Sequence, residues 1–435
     1  MKFIDLFSGI GGFRSALEKN GHECIAYSEI DKYAKKSYQA IYDTENEIDL
    51  GDITQISQEY LSKFKEENDI VVGGSPCQSF SMAGGRRGFE DTRGTLFFEY
   101  AKVVKETQPK LFLYENVKGM LSHDKGNTIR TVLSTFDELG YYIDFNIFNS
   151  KFYDVPQNRE RIYIVGIRKD LIENPIAQEK SKGKKKFDEI HNWAVENINY
   201  KKILPPLKDN VSKRLIDILE RSVDEKFFLS EDKVSQLTLN EDLSGKLNHY
   251  NYNELDRVHS VYKEAPTINT MQGGGRQPKI VVVGNTSNTN HKSHDIHDPN
   301  GLSPTIAARD YKGPKQIAIK EATKKGYTLA KHGDSVNYTY PTSKTRRGRV
   351  GKQIAQTIQA GEVNQGVVTN DIRIRKLTPL ECWRLQGFTD DQFYKAKNDG
   401  VSNSQLYKQA GNSVTVNVVD YIISNVVNKI EKENE

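Results

Sequence analysis

Two side chains could form and break a bond to a heteroaromatic ring. Cys77 stands in Gly73-Gly74-Ser75-Pro76-Cys77-Gln78-Ser79, after an apolar strand-like run, where a tight turn would hold a thiol near backbone amides that favour its thiolate. Glu115, in Glu115-Asn116-Val117, ends the next apolar run and would reach the same sheet edge. A thiol that can add to a ring and an acid that can protonate it suit covalent activation of a heteroaromatic base. A Cys-His dyad needs a histidine at a comparable strand-end loop, and none of the nine histidines is so placed in the sequence. Arg159 and Arg161, separated by one residue at the entry to a strand, would project from one face. Anion or carbonyl binding is the favoured use of the pair, and a surface salt-bridge ladder through Glu160 is the ordinary alternative.

A second constellation points to a nucleotide-like cofactor. Asp5-Leu6-Phe7-Ser8-Gly9-Ile10-Gly11-Gly12-Phe13 joins the first strand to the first helix, and Glu29 closes the second strand 20 residues after Gly9. An acidic side chain there can take both hydroxyls of a ribose. The glycine spacing lacks the final glycine of the dinucleotide fingerprint, so a ribose without a diphosphate fits better, and a nicotinamide oxidoreductase is disfavoured. Asp52, in Gly51-Asp52-Ile53, could accept from an adenine amino group or simply cap a helix before Thr54.

Positioning these groups takes alternating elements. Strands are expected over 2–7, 23–28, 70–72, 111–114, 142–148 and 161–167, and helices over 12–20, 31–41, 96–107 and 127–139. Strict alternation predicts an α/β fold with a parallel sheet covered on both faces, ligands binding beyond the carboxyl ends of the strands. From about Lys169 the pattern breaks into Pro-, Gly-, Asn- and Thr-rich segments with short β-like pieces. A small-x-Thr-Ile element recurs at 265–270, 303–308 and 355–360, as a duplicated reading element or a duplicated scaffold; the spacings are too unequal for a solenoid. After Leu377 helical pattern returns, Thr378 capping a helix begun by Pro379, and 414–430 reads as an amphipathic helix.

Composition narrows the class. With 435 residues, 36% of them apolar and 28% charged, the chain is an ordinary globular protein of about two or three domains. Three cysteines exclude a disulfide framework and no Cys/His pair has zinc spacing, so no metal is expected; Cys24 and Cys382 read as small buried hydrophobes. Neither a membrane span nor a signal peptide is evident, so a cytoplasmic location is expected. Charge is segregated: residues 301–370 hold 12 Lys and Arg against 4 Asp and Glu. That stretch, with Arg346-Arg347-Gly348-Arg349 in it, suits a polyanion such as nucleic acid. The run Lys182-Gly183-Lys184-Lys185-Lys186 reads equally as a solvated linker.

Taken together, the blocks 5–13, 28–31, 73–84, 94–98, 115–117, 157–166, 375–388 and 409–414 resemble, in order and spacing, those of the DNA (cytosine-5) methyltransferases of prokaryotic restriction-modification systems. The resemblance spans the chain outside its variable segment. It implies a Rossmann-like S-adenosylmethionine-dependent methyltransferase domain (1–172 plus 400–435) with an inserted, smaller, mostly β or irregular target-recognition domain (173–399). It implies Cys77 as nucleophile, Glu115 on the ring nitrogen and amino group of a flipped cytosine, and Arg159 and Arg161 as clamps. Phe7, Gly9, Gly11, Glu29, Ile30, Asp52, Ile53, Pro76, Leu96, Asn412 and Val414 would line the S-adenosylmethionine pocket. Double-stranded DNA would be the substrate and a cognate restriction endonuclease the functional partner. A transfer-RNA methyltransferase using the same residues and a catalytically dead DNA-binding regulator are the competing readings.

Overall fold

The structure is a computed structural model that describes residues 1–76, 96–228, 316–360, 364–369 and 374–433, with short strands at 245–246, 257–259, 279–280, 284–285 and 295–296. It divides into two compact units, the first comprising Met1–Lys213, Gln359–Glu362 and Pro379–Glu435, the second Arg214–Ile358 and Val363–Thr378.

The first unit is built on β1 (Lys2–Leu6), β2 (Glu23–Ser28), β3 (Ile48–Asp49), β4 (Ile70–Gly73), β5 (Leu111–Val117), β6 (Tyr141–Asn149) and β8 (Glu160–Arg168); β7 (Gln157–Asn158) lies outside this sheet. Their order is β3-β2-β1-β4-β5-β8-β6. The central strands read as unbroken apolar runs because they are buried on both faces: Ile70, Val71 and Val72 of β4, and Leu111 to Tyr114 of β5, have no exposed surface. The helices α1 (Gly12–Lys19), α2 (Lys32–Ile41), α3 (Gln58–Ser62), α4 (Leu96–Thr107) and α5 (Asn127–Glu138) alternate with these strands. In α1 the residues Phe13, Ala16 and Leu17 are buried, the i, i+3, i+4 stripe of a helix lying on a sheet.

Strict alternation fails at one place. β8 runs antiparallel to both β5 and β6, so the sheet is mixed and not wholly parallel. The stretch from Ser150 to Arg159 between β6 and β8 is too short for a crossover helix, and the chain turns straight back. This reversal brings the start of β8, with Arg161, opposite the carboxyl end of β5, where Val117 pairs with Arg161 and Glu115 with Tyr163.

The first unit also takes in segments that the sequence pattern groups with the insertion, 173–213 and 379–399. The cause is apolar burial. Ile190 and Ala194 of α6 (Lys186–Asn197) join the main core, and the Asp144 carboxylate on β6 accepts the backbone N–H groups of Ile203 and Leu204, both at 2.8 Å. Beyond the insertion come α7 (Pro379–Arg384), α8 (Asp390–Asn398), α9 (Asn403–Asn412) and α10 (Val416–Glu433). Trp383 is fully buried with its indole N–H on the Leu406 carbonyl at 2.9 Å, and Asp420 of α10 accepts from Lys19 and Asn20 at the end of α1. Cys24 and Cys382 are buried, as expected of small hydrophobes.

In the second unit the strands Gln316–Lys320 and Tyr327–Lys331 form an antiparallel pair, and Ser335–Asn337, Val350–Gly351, Gln365–Val368 and Ile374–Lys376 an antiparallel sheet. A small core of Ile317, Ile319, Ala330, Val336, Val368 and Ile374 holds them. Arg349 corrects one expectation. Its side chain is fully buried, donating to the carbonyls of Asn337, Thr339 and Tyr340, and so holds a loop together instead of meeting phosphate or guanine. The repeats at 265–270 and 303–308 lie outside the described residues. Of the third, Ala355 and Ile358 are buried. Thr378 donates its hydroxyl to Glu220 as α7 begins at Pro379. No helix among the described residues is long and apolar enough to cross a membrane.

Candidate active site

The carboxyl ends of β1, β2, β4 and β5 lie side by side, and the candidate residues cluster there. After β1 the backbone turns through left-handed conformations at Phe7, Gly9 and Gly11 before α1 starts. At Gly9 a side chain would meet nothing within 4 Å, so open space lies over the loop. The Glu29 carboxylate fixes the turn, one oxygen accepting the Gly9 N–H at 2.8 Å and the other the Asp31 N–H at 2.7 Å. A carboxylate can accept about four hydrogen bonds, so each oxygen keeps a lone pair for a ribose hydroxyl. Gly12 lies so near the C-terminal segment that a Cβ there would stand 2.7 Å from Val414 Cγ2 and 2.9 Å from Ser413 Oγ. Residues on this loop and at 413–414, about 400 positions apart in the chain, are therefore packed against each other. The accepting lone pairs of Glu29 and the open space over Gly9 fit a nucleoside-bearing methyl donor.

Other expected cofactor residues differ in setting. Ile30 is 73% exposed beside Glu29, Asn412 and Pro76 are exposed, and Leu96 is half-buried at the start of α4. Ile53 is buried in the core, and Asp52 uses one oxygen to cap the short turn after it, accepting from the Thr54 N–H and hydroxyl. The capping alternative for Asp52 is thus realised.

On the neighbouring strands, Glu115 is buried at the end of β5, and Arg161 Nε lies 3.2 Å from its Oε1. Burial pushes the Glu115 carboxyl above the usual range, against the opposing pull of Arg161 and then Arg159. Gly74 is in direct contact: a Cβ there would be 2.7 Å from Glu115 Oε2 and 3.1 Å from its backbone oxygen. Cys77 itself lies outside the described residues, but the approach to it is anchored. Asn116 Nδ2 donates to the Ser75 carbonyl at 3.0 Å, and the Ser75 and Tyr114 hydroxyls are 2.7 Å apart. Sequence reasoning assigns no role to Asn116 or Tyr114, the two neighbours of Glu115, which hold Ser75 in place.

Arg159 does not share Arg161's setting. It is buried and donates to the carbonyls of Gly411 and Ser413 at 3.3 and 2.8 Å, while its Nε has no partner among the described residues. Burial lowers its pKa to about 10. Arg159 thereby ties the 411–413 segment to the head of β8, and Arg161 alone reaches Glu115 with a short contact.

The family model for C-5 cytosine-specific DNA methylases matches residues 1–428. The chain is 40% identical to the orphan methyltransferase M.SPRI of Bacillus phage SPR, covering 100% of this chain and 99% of that one. It is 34% identical to the type II methyltransferase M.BanI of Aneurinibacillus aneurinilyticus, over 98% and 95% of the two chains. In fold it is similar to a DNMT2 variant of Spodoptera frugiperda, with a TM-score of 0.52, 16% identity, and 98% and 99% of the chains covered. A protein encoded within an E. coli prophage, described as a DNA modification methyltransferase, gives a TM-score of 0.52 at 20% identity over 99% of each chain. The chain belongs to the C-5 cytosine-specific DNA methylases and is a DNA cytosine-5 methyltransferase.

Proposed function

We propose that the protein transfers a methyl group from S-adenosylmethionine to carbon-5 of a cytosine flipped out of a specific double-stranded DNA sequence, with Cys77 as transient nucleophile. The observation that carries this reading is the buried Glu115 carboxyl, paired with Arg161 and packed on Gly74, three residues before the thiol. Carbon-5 of cytosine is a poor nucleophile. When the Cys77 thiolate adds to carbon-6, Glu115 hydrogen-bonds or protonates nitrogen-3, and the electron density gathers at carbon-5. Burial favours the neutral Glu115 carboxyl, the form able to donate that proton. Arg161 keeps further N–H donors for the base carbonyl, whereas Arg159 positions the 411–413 segment.

S-adenosylmethionine, when bound, supplies the electrophilic methyl. Glu29 would hold its ribose, with Phe7, Gly9, Gly11, Ile30, Asp52, Ile53, Pro76, Leu96, Asn412 and Val414 around it. Loss of the carbon-5 proton and expulsion of the Cys77 thiolate restore the aromatic ring. Flipping costs a few kcal/mol; phosphate contacts from the basic insertion, the target-recognition domain in this reading, would offset it.

The enzyme would act in the cytoplasm as the modification half of a restriction-modification pair. A second reading, modification without a paired nuclease, is favoured by the phage relatives, which are named orphan methyltransferases. Bisulfite sequencing of DNA from cells expressing the protein tests the activity. Protected cytosines in one sequence context, lost with Cys77→Ser, are expected; full activity in Cys77→Ser would overturn the mechanism.

A further inference from the structure

Beyond the carboxyl ends of β5 and β6 the first unit holds an open groove of about 1110 Å³. Six lysines line it, Lys118, Lys151, Lys184, Lys185, Lys186 and Lys208, against only two carboxylates. Both carboxylates are already engaged. Glu160 pairs with Lys118 at 2.8 Å, and Asp188 accepts the Ser181 hydroxyl and the Lys185 N–H at the start of α6. Lys186 pairs with Glu189. Lys151, Lys184, Lys185 and Lys208 form no ion pair among the described residues; the ammonium groups of Lys151 and Lys208 lie over the rings of Phe152 and Tyr421 at 4.8 and 4.6 Å.

Four ammonium groups without an ion pair among the described residues leave the concavity with excess positive charge, which a bound polyanion relieves. Lysine is a point charge without arginine's planar fork, so the groove suits phosphate contact and not base reading. Its position fixes which phosphates. Lys118, which opens a 3-10 turn directly after β5, follows Glu115 by three residues and so lies at most about 11 Å away along the chain, and successive phosphates of one DNA strand advance ~3.4 Å along the helix axis. A cytosine held at Glu115 therefore brings flanking phosphates to the mouth of the groove.

We infer that this groove binds the backbone of the duplex flanking the target, giving the catalytic unit a sequence-independent grip of its own, separate from the insertion. The lysine run at 182–186, ambiguous in the sequence between linker and polyanion contact, takes the second role. The inference rests on the proposed reading that Glu115 receives the flipped cytosine.

The test compares wild type with the quadruple variant Lys151→Gln, Lys184→Gln, Lys185→Gln, Lys208→Gln, all in the full chain. Binding is measured across a salt series to a duplex extending a full turn on each side of the target and to one trimmed to the target itself. On the long duplex the variant should lower the steepness of log K against log salt by about 3 to 4, from ~0.9 per phosphate contact. Its turnover at saturating DNA and its affinity for the trimmed duplex should match wild type. An unchanged slope on the long duplex, or an equal loss on both duplexes, overturns the inference. Wild-type methylation of the long duplex is the control: its absence counts against the reading of Glu115 and not against the groove.

Discussion

Replacing Gly74 by alanine would act directly on the placement of the Glu115 carboxyl. Gly74 is not in the left-handed region, so the added methyl brings no backbone strain. It would stand 2.7 Å from Glu115 Oε2 and 3.1 Å from the Glu115 backbone oxygen. Non-bonded heavy atoms settle near ~3.5 Å, so the carboxylate must withdraw by roughly 0.5 to 1 Å. The carbonyl, fixed in the middle of the sheet, cannot follow. The 3.2 Å contact with Arg161 is then disturbed. A displacement of about 1 Å at a reacting group costs up to ~10²-fold in rate, while the overpacking destabilises by about 1–3 kcal/mol. Single-turnover transfer of a labelled methyl group to DNA should therefore slow by about 10- to 100-fold, with duplex affinity unchanged and the melting transition still cooperative. A folded Gly74→Ala enzyme with the wild-type single-turnover rate would refute the argument that this carboxyl's position governs the chemistry.

Three further outcomes follow from the geometry. Gly12→Ala drives a methyl into Val414 and Ser413, so equilibrium dialysis should show affinity for S-adenosylmethionine falling about tenfold, one factor of ten being ~1.4 kcal/mol; unchanged affinity would detach Val414 from the donor site. Glu115 must be protonated to donate and its pKa is raised by burial, so the single-turnover rate should fall as pH rises through that pKa, an alkaline limb that Glu115→Gln should lack. Asp144 is buried with its pKa raised from 3.8 to about 6; the folded state binds the proton more tightly than the unfolded chain. The contribution of Asp144 to stability should accordingly be lost as pH rises from about 4 to about 6, about 3 kcal/mol in order of magnitude. In urea denaturation, wild type should lose that much stability relative to Asp144→Asn across this range, and a constant difference between the two would refute it.

Much of the site was legible because its chemistry is local in sequence. The Gly9–Gly12 turn, Glu29 at the end of β2 and Glu115 at the end of β5 are each set by an apolar strand and the residues that immediately follow it. Features that depend on partners far along the chain were not. Arg159 and Arg161 look equivalent in sequence, yet the first binds Gly411 and Ser413, some 250 positions away, and the second binds Glu115. Arg349 reads as an exposed member of a basic run until the carbonyls of Asn337, Thr339 and Tyr340 enclose it. The reversal into β8 leaves no mark in the sequence, because periodicity shows a strand but not its direction. The assignment of α6 to the first unit turns on Ile190 and Ala194, two residues whose burial no local pattern announces.

The mechanism turns on the covalent bond between Cys77 and the base. Duplex DNA carrying 5-fluorocytosine at the target position, incubated with the enzyme and S-adenosylmethionine, should yield a stable one-to-one adduct, since fluorine cannot leave as the carbon-5 proton does. Peptide mapping by mass spectrometry should locate the oligonucleotide on Cys77. An active enzyme that forms no adduct, or one attached at another residue, would contradict the mechanism.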